Sequence, residues 1–522
     1  MTRFAPFVAC VVLFVASVVL GWLVAAAVFG VLAAVGVYDL VQRKHSVLRN
    51  YPLLGHMRFA LEALRPELQQ YFIERDTDGA PFDRDTRTSI YQRAKGLKDE
   101  QGFGTELDVT RPGYEWLLHS VAPVEQPDEP PRVRIGGPDC TRPYDMALLN
   151  VSAMSFGALS KQALTALNLG AQRGGFAHDT GEGGLTEYHL RGGDLVWELG
   201  SGYFGARTKD GSFDPREFAE KAAHPQVKLV SLKLSQGAKP GIGGQLPGEK
   251  VTKEIAEARD VPEGEPCLSP AAHTAFRTPR ELVRFIARMR ELADGKPAGF
   301  KLCVGHRYEL LAICKAMLEE RVTPDFIIVD GAEGGTGAAP MEYADHVGTP
   351  LTEGLMTVHN ALVGVGLRDQ VKIGASGKVA TGSDIVKRLA QGADYTNAAR
   401  AMMMAVGCIQ SQECHLNTCP VGVATQDPKR GRALDVPDKT ERVYRYQRAA
   451  VGEAVRIMAS MGIDDPAKLT PHLLMRRVDE HTTLSYGELY EWLEPGELTS
   501  GDPRESWARE WAMADADSFR PR

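Results

Sequence analysis

The sequence lacks an excess of charge of either sign and lacks a strong compositional bias. Its 522 residues include 60 Lys and Arg against 67 Asp and Glu, so the net charge is only −7. This balance gives no reason to expect a nucleic-acid partner. With 43% apolar and 24% charged residues, the composition also excludes a disordered tail protein, a collagen-like chain and a small disulfide scaffold.

Cysteine is scarce, since eight scattered residues are too few for an extracellular disulfide framework. Three of them nevertheless cluster at the spacing C-x5-C-x4-C: Cys408, Cys414 and Cys419. Three thiolates in a short loop indicate a soft-metal site. That site is either a zinc site completed by His415 or an iron–sulfur cluster, for which the proline after the last cysteine is typical. The alternative is three buried apolar cysteines.

Charge is absent from the start of the chain, between Arg3 and Asp39. The 35 uncharged residues would span about 52 Å as one helix, at roughly 1.5 Å per residue. A bilayer core needs about 20 residues, and the apolar region of a signal peptide has roughly 7–15. The run therefore predicts a membrane anchor, either one long span or, as we favour, two short spans turning near Gly21. Basic residues follow it directly and predict a cytoplasmic catalytic domain: Arg43, Lys44 and Arg49.

Composition divides the chain into four predicted parts: a transmembrane segment at 1–40, an N-terminal extension at 41–125, a catalytic domain at 126–470 and a C-terminal helical tail at 471–522. A Pro-rich stretch at 122–139 marks the second boundary. Within the extension, "RNYPLLGHMRFALEALRPELQQYF" predicts a helix that Pro52 and Pro66 interrupt.

Eight short apolar runs, most of them ending in Gly-rich turns, follow the Pro-rich stretch. They are "MALLNVSAM", "GGFAHDTGEGG", "LVWELGSGYFG", "VKLVSLKLSQG", "AGFKLCVG", "DFIIVDGAEGG", "VKIGASG" and "GADYTNAAR". Helical patterns lie between many of them, so the sequence predicts a parallel α/β sheet. We expect a (β/α)8 TIM barrel with insertions rather than an open doubly wound sheet. Polar sequence follows nearly every run, and the carboxyl ends of barrel strands converge on one mouth.

The turns after the seventh and eighth strands predict a phosphate site. They contain small or cationic residues just before a helix: Ser376, Gly377 and Lys378 in the first turn, Ala399 and Arg400 in the second. The N–H groups of a first helical turn bind phosphate, and these turns are the usual phosphate site of a barrel. The alternative is that the small residues serve packing.

Cations near the predicted mouth indicate an anionic substrate. Lys233 ends the fourth strand, and a glycine-rich excursion after it carries Lys239, Gln245 and Arg259. Cations and an amide suit a dicarboxylate, although an ordinary solvated loop would also contain such charges. Lys301 ends the fifth strand and could stabilise negative charge on a flavin ring. The glycines of "DGAEGGTGAAP" form no strand–GxGxxG–helix unit for a dinucleotide.

Taken in order, "MSFGALS", "TGEGG", "QGAKPGIGGQLPGEKV", "DGAEGGTGAAP" and "CHLNTCPVGVATQ" resemble the FMN-binding synthase domain of glutamate synthase over residues 140–430. The whole chain, with its apolar leader, resembles the stand-alone FMN-binding glutamate synthase family proteins. The resemblance implies a TIM barrel that holds FMN beside a [3Fe–4S] cluster. Its cluster ligands would be Cys408, Cys414 and Cys419, and its 2-oxoglutarate contacts Lys239, Gln245 and Arg259. Its flavin surroundings would be Ser155, Thr180, Lys233, Lys301 and the turns 376–378 and 399–400.

The resemblance also implies the reaction. An amine condenses with 2-oxoglutarate to give 2-iminoglutarate, reduced FMN delivers hydride to form L-glutamate, and the cluster relays electrons. The family's glutaminase domain and its C-terminal β-helix have no counterpart here, so we expect the ammonia or amine to come from elsewhere. Since no dinucleotide fingerprint is present, we expect an electron-donor protein, either a ferredoxin or a reductase subunit.

Three alternatives stay open at this stage. An N-methylglutamate synthase would use methylamine in place of ammonia. An IMP-dehydrogenase-like barrel would use one loop cysteine as a nucleophile, but three cysteines in register with "PVGVATQ" argue against it. A membrane-tethered flavin and iron–sulfur module could carry electrons without any synthase turnover.

Overall fold

The computed structural model describes residues 2–98, 100 and 102–522. The chain folds as two compact units, one that ends at Arg84 and one that runs from Asp85 to Arg522. The boundary between the units falls inside the predicted N-terminal extension.

The first unit begins with an antiparallel helical hairpin, α1 (Ala5–Val19) and α2 (Leu23–Val41). The chain turns at Gly21, whose φ of +71° is readily adopted only by glycine. A Cβ added at Gly36 would lie 2.2 Å from a ring carbon of Phe7, so this glycine allows the two helices to approach closely. Among the described residues, α2 alone is long and apolar enough to cross a bilayer, and α1 is shorter at 15 residues.

Two further helices complete the first unit, α3 (Ser46–Asn50) and α4 (Gly55–Leu68). Pro52 separates them, as predicted. The prediction that Pro66 interrupts the helix was wrong, because Pro66 lies inside α4. Its missing N–H falls in the last turn of α4, and the chain continues as one wider π-helical turn at Gln69–Ile73.

The second unit is built on a closed barrel of eight parallel strands, which confirms the predicted fold class. Three short strands precede it: β1 (Glu115–Leu117), β2 (Arg132–Ile135) and β3 (Tyr144–Ala147). The barrel strands, in chain order and in spatial order, are β4 (Leu149–Val151), β5 (His178–Asp179), β6 (Leu195–Leu199), β7 (Val227–Lys233), β10 (Ala298–Leu302), β11 (Phe326–Asp330), β12 (Lys372–Ser376) and β13 (Tyr395–Ala398). A two-stranded excursion follows β7: β8 (Gln245–Leu246) and β9 (Cys267–Leu268).

Helices alternate with the barrel strands and flank the barrel region. They are α5 (Arg84–Lys95), α6 (Lys161–Gly174), α7 (Pro215–Ala222), α8 (Lys253–Arg259), α9 (Pro279–Leu292), α10 (Arg307–Glu320), α11 (Met341–His346), α12 (Leu351–Gly364), α13 (Gly382–Ala390), α14 (Arg400–Val406), α15 (Pro428–Gly431) and α16 (Val436–Ser460). Local sequence fixes several of their starts. In α9, Thr278 and Glu281 form a reciprocal capping box, and Thr381 and Asp384 do the same in α13.

Apolar side chains close the amino-terminal end of the barrel. The β2–β3 hairpin contributes Ile135 and Met146, which pack in one buried cluster with Val196, Phe326 and Tyr395 from three barrel strands. A barrel filled from this end leaves the carboxyl ends of its strands as the place for polar side chains.

The C-terminal segment contains the expected helices, α17 (Tyr486–Leu489) and α18 (Glu505–Met513). It also contains two strands, β14 (Leu474–Arg477) and β15 (Thr483–Ser485), which form an antiparallel sheet with β1. In α18, Trp507 lies under the guanidinium of Arg307, 4.3 Å from the ring centroid. This segment therefore packs against the barrel helices.

Candidate active site at the mouth of the barrel

Two lysines that the sequence predicts to be site residues lie side by side inside the barrel. Lys233 and Lys301 are register partners on the neighbouring strands β7 and β10, near their carboxyl ends. The Nζ of Lys233 donates to Glu182, 2.7 Å away, and to Gln236, 2.6 Å away. Lys301 instead forms an ion pair with Glu198 on β6. The two cations thus belong to two different acidic clusters.

The first cluster is a buried triad of Asp179, Glu198 and Lys301, each no more than 5% exposed. Burial opposes the charge on Lys301, but Glu198 and Asp179 outweigh it and raise the pKa of Lys301 above its usual value. Burial and the charge of Glu198 raise the pKa of Asp179 to about 8. Thr180 joins this cluster, because its hydroxyl accepts a hydrogen bond from the backbone N–H of Glu198, 3.1 Å away. The triad therefore holds a charged lysine and a protonated carboxyl group at neutral pH.

The raised pKa of Asp179 predicts a pH dependence of stability. Because the folded chain binds this proton more tightly than the unfolded chain, stability falls as pH rises from about 4 to about 8. We expect Asp179→Asn to remove up to about 1.4 kcal/mol of this slope per pH unit. Urea unfolding of both proteins at pH 5, 6, 7 and 8 measures the difference. Parallel stability curves for the two proteins would contradict the assignment.

The second cluster surrounds Glu182, a residue that the sequence analysis did not single out. Burial raises the pKa of this carboxyl group, but Lys233, Arg259 and Lys239 outweigh burial and lower it to about 2. A Cβ added at Gly244 would lie 2.1 Å from Glu182 Oε1, so the glycine-rich excursion passes directly over the carboxylate. The sequence indicates this residue only as the acidic position of "TGEGG", just after a predicted barrel strand.

The predicted dicarboxylate contacts are only partly brought together. Burial and the neighbouring charge of Lys233 lower the pKa of Lys239 to about 8, and its Nζ donates to Ala338 O, 2.7 Å away. Arg259 is also buried and donates to Phe156 O at 2.8 Å. Both cations act on Glu182. Gln245, by contrast, lies on β8 with an exposed side chain.

Arg259 has one side-chain hydrogen-bond donor that no described residue accepts. One of its terminal nitrogens also lies 3.2 Å from Ser155 Oγ, which connects the Ser155 loop to this cluster. Its Nε is buried and has no hydrogen-bond partner among the residues that the structure describes. An unpaired donor on a buried guanidinium is costly, so this nitrogen is suited to an anionic ligand.

The predicted phosphate turns lie next to each other, because β12 pairs with β13. Ser376 ends β12, and its hydroxyl lies 3.2 Å from that of Ser152. The backbone turns sharply after it, with φ of +149° at Gly377 and +50° at Lys378. Ala399 precedes α14, and Arg400 is its first residue and donates to the carbonyl of Glu333. The turns thus combine small side chains with helix starts, as the sequence predicts.

Two of the three clustered cysteines, Cys414 and Cys419, lie near a buried lysine. Lys250 is 2% exposed, and its Nζ donates to Cys414 O at 2.6 Å and to Ala424 O at 3.1 Å. Burial lowers its pKa, and Cys414 and Cys419 oppose that shift. Burial, with the charges of the other two cysteines, raises the pKa of Cys408 to about 12. The three thiols are thus close enough to influence one another, and the ammonium of Lys250 acts on Cys414 and Cys419.

Among the described residues, the three cysteine side chains are not arranged to hold a single metal ion. Within residues 2–98, 100 and 102–522, no three His, Cys, Asp or Glu side chains are grouped to hold a metal ion. His415, the possible fourth zinc ligand, is exposed.

Comparison with known proteins identifies the family. The pattern described as "Conserved region in glutamate synthase" matches residues 142–464, which is more than half of the chain. The chain belongs to the glutamate synthase family. It is therefore a glutamate synthase-like oxidoreductase, as the motifs implied.

Individual relatives agree with this assignment. The glutamate synthase large subunit-like protein YerD of Bacillus subtilis is 38% identical over 484 residues, which cover 84% of this chain and 92% of YerD. The archaeal-type glutamate synthase [NADPH] of Thermotoga neapolitana is 36% identical over 315 residues, 60% of this chain and 59% of that protein. A mutant flavocytochrome b2 with pyruvate bound aligns with a TM-score of 0.43 at 14% identity, over 83% of this chain and 91% of that one.

Proposed function

We propose that the chain catalyses reductive amination of 2-oxoglutarate, through 2-iminoglutarate, to L-glutamate. The observation that carries this proposal is the buried cationic cluster of Lys239 and Arg259 at the barrel mouth, with its unpaired guanidinium nitrogen. In a chain of the glutamate synthase family, a dicarboxylate 2-oxoacid is the anion that such a cluster suits.

Two features of the barrel mouth suit FMN: the turns of small residues suit its phosphate, and the buried cation Lys301 suits its ring. Gly377 has a φ of +149°, which favours glycine, and a Cβ added there would lie 3.3 Å from Leu351, so a larger side chain does not suit this turn. The turns 376–378 and 399–400 would hold the phosphate, with Ser155, Thr180, Lys233 and Lys301 around the ring. When bound, FMN supplies the hydride.

The cysteine loop suits an iron–sulfur cluster because its three thiols are the ligands that such clusters use. Three thiols lie within electrostatic reach of one another, and the buried Lys250 offsets the negative charge that thiolates and sulfides would bring. Cys408, Cys414 and Cys419 would hold a [3Fe–4S] cluster, which would supply single-electron transfer from a ferredoxin or reductase subunit.

Each residue of the site then has a physical task. Lys239 and Arg259 bind the carboxylates of 2-oxoglutarate, and Gln245 closes over the substrate from the β8 excursion. Glu182 keeps Lys233 charged and in place through their 2.7 Å hydrogen bond. Lys301 stabilises negative charge at the mouth of the barrel. Asp179, in the same buried triad, holds a proton on its carboxyl group at neutral pH.

We also propose that the α1–α2 hairpin anchors the chain in a membrane with the barrel in the cytoplasm. The hairpin has no charged residue before Asp39 in the last turns of α2, and the basic residues after it suit the cytoplasmic side.

Turnover of purified protein tests the reaction. Chemically reduced protein given 2-oxoglutarate and ammonia should produce L-glutamate, detected by mass spectrometry with 15N-ammonia. A methylamine arm separates the alternative enzyme, because preferential formation of N-methylglutamate would replace the proposed product. Formation of neither product, with flavin reoxidation unaffected by 2-oxoglutarate, would instead indicate a redox module without synthase turnover.

A further inference from the structure

Helix α4 of the first unit carries an exposed apolar stripe. Met57, Leu61, Leu64 and Leu68 follow at helical spacing, and their side chains are 61%, 56%, 55% and 41% exposed. The π turn after α4 extends the stripe with Tyr71 and Phe72, which are 53% and 81% exposed. Residues four and seven apart lie on one face of a helix. Single exposed apolar residues are ordinary, but a continuous stripe of six marks an interaction surface.

The start of α4 is fixed to the end of α2. Asp39, fully buried in the last turns of α2, accepts a hydrogen bond from Leu53 N at 3.0 Å. His56, in the first turn of α4, lies 2.9 Å from the same carboxylate. Gly55 packs against Leu48 so closely that an added Cβ would lie 2.9 Å from that side chain. The stripe therefore begins where the apolar hairpin ends.

The segment that contains the stripe is positively charged, although α4 itself holds two basic and two acidic residues. Residues 42–73 contain five basic and two acidic side chains, a net charge of +3 in a chain whose total is −7. On a helical wheel, Arg58 and Arg65 lie along one edge of the stripe and Glu67 lies along the other. Glu62 lies farther from the stripe and pairs with Arg58 at 2.8 Å. Basic residues beside an apolar stripe are typical of helices that lie in the interface of an anionic bilayer.

We propose that α4 and the following turn lie flat on an anionic lipid surface, with the stripe inserted below the headgroups. The proposal rests on the proposed membrane anchor, because the hairpin brings α4 to the bilayer. Met57, Leu61, Leu64, Leu68, Tyr71 and Phe72 enter the acyl boundary, and Arg58 and Arg65 contact lipid phosphates. This gives the first unit a surface-bound part in addition to its spanning part.

Lipid photocrosslinking of the full chain tests this contact. The protein is placed in nanodiscs of phosphatidylcholine with and without phosphatidylglycerol, both carrying a photoactivatable phospholipid, and crosslinked peptides are identified by mass spectrometry. We expect crosslinks on residues 55–73 as well as on α1 and α2, with the former stronger in the anionic bilayer. Leu61→Glu with Leu64→Glu should lower the crosslinks on 55–73 at least about fivefold and leave those on α2 unchanged.

A matched pair of substitutions adds the same charge away from the stripe. Ala63 and Gln69 are exposed residues of the same segment, so Ala63→Glu with Gln69→Glu should keep the crosslinks. Crosslinks on α1 and α2 without any on 55–73 would overturn the proposal, whether the barrel or a second copy covers the stripe instead. Loss of crosslinks from α1 and α2 as well would overturn the membrane anchor itself and this contact with it.

Discussion

Replacement of Lys301 with methionine is expected to lower the free energy of unfolding of the barrel by about 3–5 kcal/mol. Lys301 supplies the positive charge that pairs with the buried Glu198, which is 1% exposed. Without it, the buried Glu198 has no charge partner, which is costly inside the barrel. Urea denaturation followed by circular dichroism measures the loss.

Two further variants identify the cause of that loss. Lys228 lies on β7 with a partly exposed side chain, 3.5 Å from Asp194, and Lys228→Met should cost less than about 1 kcal/mol. Adding Glu198→Gln to Lys301→Met should recover part of the lost stability, because it removes the unpaired charge. A single variant as stable as the unmodified protein, or a double variant no better than the single, would contradict the buried triad.

Lys239→Met is expected to lower kcat/KM for 2-oxoglutarate about 30- to 150-fold, equivalent to about 2–3 kcal/mol of lost charge pairing. Lys239 is 3% exposed, so a carboxylate beside it would be shielded from water. Because the pKa of Lys239 is lowered to about 8, its charge is lost as pH rises through that value. The unmodified enzyme should therefore bind 2-oxoglutarate more weakly above pH 8. Steady-state kinetics across pH 6.5–9 measures both effects.

A lysine in the same excursion serves as the control. Lys253 begins α8, and its side chain is 79% exposed, so Lys253→Met should leave kcat/KM within about twofold. If both variants behave alike, or if Lys239→Met lowers kcat without raising KM, then Lys239 does not bind the substrate carboxylate.

The barrel could be predicted from the sequence because most of its strands lie in short apolar runs, with helical patterns between many of them. In a parallel sheet both faces are buried, so "DFIIVD" is almost continuously apolar, and its observed counterpart is β11. Pro66 misled the prediction, because in the last turn of α4 the proline removes one backbone hydrogen bond without ending the helix.

The partners of the predicted cations were harder to find. Lys233 and Lys301 stood out as lysines at strand ends, and their register pairing follows from the barrel closure. Glu198 and Glu182 became visible only in three dimensions, because which carboxylate neutralises which lysine depends on contacts between separate strands and loops. A glutamate inside the apolar run "LVWEL" was nevertheless a signal, since a charged residue is seldom fully buried without a partner.

The most direct test of the account is a cofactor measurement on the full chain purified without oxygen. Flavin released by acid, total iron and sulfide, and the electron paramagnetic resonance spectrum should together give one FMN and one three-iron cluster per chain. In Cys414→Ser the three-iron signal should be lost while the flavin remains. Folded protein that contains neither flavin nor iron, or whose iron does not depend on Cys414, would contradict the proposal of a flavin and iron–sulfur glutamate synthase.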